Sequence, residues 1–269
     1  MNRSLPFLGV AVLGLGAALL IPVAFSDPNG VDPYAVRLSA TSLLVLGAAF
    51  ASARLAAARP LLLTLAAITT TYTVLTAATA GGAPLSQVLW ASLGQAALTI
   101  GFAVAVVRFA GAGTRPRVRL RSGVLTPLLV SGAGIVLLVG VGLLLPATLL
   151  GREALQPVAL GRDLPWLAPA CALQAFAQEL QFRGLLLGVL ERELGPAWAN
   201  TGQAAFFGLA HLAVSYGGPE APFVPLTFLF GLLMGTLVQR TGSLWPAIVI
   251  HAVADIALTA TVAPGLYGL

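Results

Sequence analysis

Nine apolar runs divide this 269-residue chain, each close to the roughly 20 residues that a helix needs to cross the hydrocarbon of a bilayer. They extend approximately over Leu5–Phe25, Leu38–Ala53, Pro60–Ala80, Leu85–Val107, Gly123–Leu150, Leu164–Leu190, Ala197–Ser215, Phe223–Val238 and Leu244–Ala263. A run of this kind must satisfy its own backbone hydrogen bonds where no water reaches, which selects the helix. Only 9% of the residues are charged and 58% are hydrophobic, whereas soluble domains carry about 25% charge. The expected fold is an all-α, polytopic membrane helix bundle. The second and eighth runs are short enough to be partial crossings, so about 8–9 transmembrane helices are expected.

Charge placement sets the orientation, because cytoplasmic loops retain positive residues. With the N-terminus inside, the inner side receives Arg3, Arg54, Arg59, Arg108, Arg115, Arg117, Arg119, Arg121, Arg192 and Arg240. The outer side receives Arg37, Arg152 and Arg162, together with Asp27, Asp32, Glu153, Asp163 and Glu220. The net charge of +5 therefore belongs to loops beside a lipid bilayer, and no nucleic-acid surface is expected. The alternating run from Arg115 to Arg121 is read as a topology determinant only, in preference to a contact with anionic headgroups at the inner face. Arg3 precedes an apolar stretch too long for a signal peptide, with no A-x-A site after it, so the first run is read as a retained helix. All fourteen basic residues are arginine, which excludes a Schiff-base or lysine-dyad mechanism. Cys171 stands alone and pairs with nothing inside the chain.

Against this background the ionisable groups inside the apolar runs carry the functional signal, because each costs roughly 2.5–3.5 kcal/mol to insert on translocation scales. Gln178, Glu179 and Arg183 lie in the sixth run, His211 in the seventh, and His251 and Asp255 in the ninth. Glu179 and Arg183 are four residues apart on one helix face and can pair, as can His251 and Asp255. Gln178 sits about 100° around the helix from Glu179. A carboxylate with two imidazoles supplies a base to activate water, a donor for a developing oxyanion and an acid for a leaving amine. Glu179, His211 and His251 equally have the composition of a zinc site with one position open to water. A structural ion pair and a haem carrier ligated by His211 and His251 remain the competing readings at this stage.

The motifs spelled by these residues are similar to those of the CPBP family of intramembrane proteases, which includes type II CAAX prenyl endopeptidases and Abi immunity proteins. That family carries EExxxR, FxxxH and HxxxN or HxxxD on successive membrane helices. Here they read Gln178-Glu179-Leu180-Gln181-Phe182-Arg183, Phe207 to His211, and His251 to Asp255, with Gly242-Ser243-Leu244-Trp245-Pro246-Ala247 leading into the last. The resemblance covers roughly Leu164–Ala263. It implies a domain plan in which residues 1–150 form scaffold helices and residues 151–269 form the protease-like core. It further implies that His211 positions or activates water, that His251 and Asp255 shape the oxyanion or metal side, and that Arg183 orients Glu179. The implied substrate is a membrane-proximal peptide, and the implied location a bacterial plasma membrane. Gln178 departs from the pattern at the first glutamate, and an amide cannot act as a general base. Three explanations are open: Glu179 takes over, the chain is a natural non-catalytic member with an immunity or regulatory role, or it carries an inactivating substitution.

Overall fold

The computed structural model describes residues 31–51, 53–79, 84–109, 157–211 and 223–262. The expected runs Leu5–Phe25 and Gly123–Leu150, the arginine run from Arg115 to Arg121 and the domain boundary at residue 150 lie outside the described residues. Within them the chain is helical: α1 (Val31–Ala51), α2 (Arg59–Thr79), α3 (Leu85–Phe109), α4 (Pro157–Glu179), α5 (Leu187–Leu194), α6 (Pro196–Ala210), α7 (Phe223–Thr241) and α8 (Trp245–Val262). A π-helical segment, Leu180–Leu186, joins α4 to α5.

The sixth apolar run is thus continuous, as its length demands, but its middle is wound with i→i+5 bonding. π-helical turns of this kind often occur at functional sites. Gly195 (φ 76°) and Gly242 (φ 66°) make the turns before α6 and α8, in a backbone region that side chains with a Cβ rarely adopt. Pro196 at the first turn of α6 needs no amide hydrogen there, so it starts the helix without loss.

Helix α3 shows how the bundle is solvated. Its buried face carries Ser92, Gln95 and Thr99, whereas Trp90, Leu93, Leu98, Ile100 and Val104 are exposed. Leu43, Leu44, Leu229 and Leu233 are exposed in the same way on α1 and α7. A polar interior beneath an apolar exterior is the pattern of a lipid-facing protein, since soluble monomers rarely expose such extended apolar surface. The chain is a membrane protein. Leu85–Phe109 and Val224–Thr241 have the length and hydropathy to cross a bilayer, and Ser39–Ala51, Arg59–Leu75 and Trp245–Leu258 are shorter apolar helices.

The principal core joins the early helices to the later ones. Leu61, Leu65 and Val106 from α2 and α3 pack with Phe182, Leu185, Leu186, Phe206 and Phe207. A second cluster sets Leu180 against Met234, Val238, Leu244, Ala247 and Ile248. The motif-bearing segment is therefore wedged between α2 and α3 on one side and α7 and α8 on the other.

Small residues set the spacing between α6 and α7. A Cβ on Gly208 would meet Phe228 Cβ at 3.0 Å and the Val224 carbonyl at 3.1 Å, while one on Gly235 would strike the Asn200 side chain. That close approach lets Asn200 donate to the Leu232 carbonyl (3.1 Å) and Thr236 Oγ1 (3.0 Å), and Gln203 to the Gly231 carbonyl (2.9 Å). Helices in lipid associate through such packing and interhelical hydrogen bonds, because the surrounding tails supply no hydrophobic force.

Candidate active site

Three segments deliver ionisable side chains to one buried cluster. Glu179 ends α4, Arg183 lies in the π-helical segment, and His251 and Asp255 lie one turn apart on α8. Arg183 Nη1 donates to Glu179 Oε1 at 2.9 Å, and both side chains are fully buried. The same oxygen accepts from His251 Nδ1 at 2.6 Å. His251 Nε2 faces Asp255 Oδ1 at 3.5 Å. The imidazole thus stands between two carboxylates, and Glu179 is held by two donors at one oxygen. Its other oxygen, Oε2, is buried without a hydrogen-bond partner.

His211 reaches the cluster from α6, where it forms the C-cap. Its Nδ1 lies 2.7 Å from the Phe207 carbonyl oxygen. A carbonyl can only accept, so Nδ1 carries the hydrogen and Nε2 of the neutral ring presents its lone pair.

Phe207 is the common neighbour. Its ring lies 4.6 Å from that of His211 and 5.7 Å from that of His251, centroid to centroid. The Arg183 guanidinium carbon sits 4.4 Å from its centroid, a cation–π arrangement that gives a buried charge a second favourable contact. The phenylalanine of the FxxxH spacing is therefore a platform for the two histidines and the arginine. Phe230, which carries no motif signal, contacts His251 edge-on at 5.1 Å.

Of the residues singled out from the sequence, Glu179, Arg183, His251 and Asp255 are joined directly, and His211 joins them across Phe207. Gln178 is buried on the same helix, its Oε1 has no partner, and among the described residues it hydrogen-bonds to none of the cluster. Sequence reasoning missed Gln181, whose Nε2 donates to Thr71 Oγ1 (2.8 Å) and Thr99 Oγ1 (2.7 Å). This contact ties the motif segment to α2 and α3, so the early helices hold the site as well as surrounding it.

The zinc set weighed from the sequence, Glu179, His211 and His251, is not presented as one. His251 donates Nδ1–H to Glu179 and turns Nε2 to Asp255, while Glu179 Oε1 already receives two donors. Among the described residues no group of three His, Cys, Asp or Glu is placed to hold a metal ion.

Comparison with known proteins agrees with the motif spelling. The model of the Rce1-like family, described as type II CAAX prenyl endopeptidase, matches residues 160–257, which include every ionisable residue of the cluster. No curated protein and no solved structure matches the chain. Residues 160–257 of this chain are thus similar to a family of CAAX-type membrane proteases.

Proposed function

We propose that the chain is an intramembrane endopeptidase that hydrolyses a membrane-proximal peptide bond, with Glu179 as the base. The observation that carries this reading is the asymmetry of its carboxylate. Arg183 and His251 fix Oε1, and Oε2 is left free of partners in the buried site. A base held in one orientation, with an unengaged oxygen, is arranged to take a proton from water.

In this reading His211 Nε2 accepts a hydrogen bond from the same water and orients it. The water oxygen attacks the peptide carbonyl, and the proton moves to Glu179 Oε2. His251 and Asp255 border the side on which the carbonyl oxygen gains charge. Cleavage of the C–N bond follows, with the proton passing from Glu179 to the leaving amine. No step is assigned to zinc, because both ring nitrogens of His251 are turned to carboxylates.

Orientation with the N-terminus inside is supported by the exposed Arg108, Arg192 and Arg240, which lie near the ends of α3, α5 and α7. Exposed Trp198 and Trp245, near the starts of α6 and α8, have the amphipathic rings that collect at a membrane interface. A second reading, a non-catalytic regulatory or immunity protein, is favoured by Gln178 at the family's first glutamate position.

The test is cleavage of a membrane-anchored peptide by the purified chain. His211→Ala and His251→Ala are each expected to lower turnover by about 10²–10⁴-fold, the usual share of a positioned acid or base. A chelator is expected to leave the native rate unaltered. Full turnover in either histidine variant, with the protein folded, contradicts the assignment.

A further inference from the structure

Helix α3 and the stretch formed by α4 and the π-helical segment present two matched rows of polar side chains to each other. Gln174 Nε2 donates to Ser92 Oγ at 2.9 Å, and Gln181 Nε2 donates to Thr99 Oγ1 at 2.7 Å. Both contacts advance by seven residues along both helices, so the two run in parallel register. The register places Gln95 opposite Gln178 at the rung between, three residues after Ser92 and four after Gln174.

This middle rung has no hydrogen bond from Gln95 and none to Gln178 Oε1. Gln95 is 0% exposed, yet neither its Nε2 nor its Oε1 has a partner, and Gln178 Oε1 is also buried and unpartnered. Amide groups taken out of solvent in native proteins are satisfied by protein or by ordered water. The unpartnered atoms include one N–H donor group and two carbonyl acceptors, a set that suits water, which both donates and accepts. The rung is adjacent in sequence to Glu179, whose Oε2 is the next buried oxygen without a partner.

We propose that Gln95 and Gln178 form a buried hydration site whose water supplies the hydrolytic centre at Glu179. The supply role rests on the protease reading given above, whereas the water site stands on the unpaired amides alone. Gln178 then has a function that an amide can perform. It binds water without deprotonating it, and Gln95, on a helix outside the family match, becomes a positioning residue for the reaction.

The experiment pairs an experimental structure at high resolution with kinetics. The native chain is expected to show ordered water bridging Gln95 and Gln178, and Gln95→Met, similar in volume but without polar atoms, is expected to lose it. A dry middle rung in the native protein overturns the site, whatever the enzyme does and whether or not the variant folds. In the cleavage assay Gln95→Met is expected to lower kcat about tenfold with KM unchanged, the signature of a contact that serves the transition state. Gln95→Asn, which keeps an amide, is expected to recover most of that loss. Undiminished kcat in a folded Gln95→Met protein overturns the supply role. A native chain that cleaves nothing overturns it too, while leaving the water density to decide the site.

Discussion

Replacing Glu179 with glutamine is expected to reduce peptide cleavage by about 10²–10⁴-fold, because the amide retains an acceptor for Arg183 and His251 but cannot take a proton from water. The change is nearly isosteric, so packing around residue 179 is kept. Stability does not escape. Arg183 is fully buried, and removing its counter-charge leaves a cation without compensation, at a cost of about 3–5 kcal/mol for a broken buried pair. The check is turnover measured beside thermal unfolding in the same detergent, normalised to folded protein. Retained turnover in Glu179→Gln is incompatible with the proposed base.

Arg183→Leu is expected to be the most destabilising single change at the site, again by about 3–5 kcal/mol, because it strands a buried carboxylate. It also removes the guanidinium from the face of Phe207, at 4.4 Å from the ring centroid. The double variant Glu179→Gln/Arg183→Leu separates the two roles of the pair. With neither charge present, much of the lost stability is expected to return, since a buried ion pair is often matched by groups of similar volume. Activity is expected to stay absent. A double variant as unstable as the sum of the single changes contradicts the pairing, because coupled residues are not additive.

The helices were legible because apolar length is a strong signal. The apolar run predicts a helix over Leu85–Val107, and the structure has one over Leu85–Phe109. Within that run the sequence offered no means of ranking Ser92, Gln95 and Thr99 above their neighbours. The importance of Ser92 and Thr99 comes from pairing with residues 82 positions away, Gln174 and Gln181, that of Gln95 from the register those pairs set, and no local pattern encodes such contacts. The π-helical segment Leu180–Leu186 was equally hidden, since one glycine, Gly184, among six ordinary helix formers does not distinguish π from α winding. Among the site residues, Glu179 with Arg183 and His251 with Asp255 were visible from four-residue spacing. The hydrogen bond joining the two pairs was not, because it spans 72 positions.

Phe207 illustrates the same limit from the other direction. Its place four residues before His211 marked it as part of a motif, but spacing gave it no task. The task emerges from contact: one ring supports Arg183, His211 and His251 together. An FxxxH spacing on a helix lets the Phe207 carbonyl fix the tautomer of His211 while the Phe207 ring carries the opposing groups.

The central claim is that Glu179 performs the chemistry and that residue 178 need not be acidic. The most direct measurement is the rate of cleavage of one membrane-anchored peptide by the purified native chain, set beside Gln178→Glu at equal folded concentration. The account predicts that the native chain cleaves and that the added carboxylate changes the rate by less than about tenfold, well short of the share carried by a base. A native chain that is inert, with cleavage only after Gln178→Glu, contradicts it.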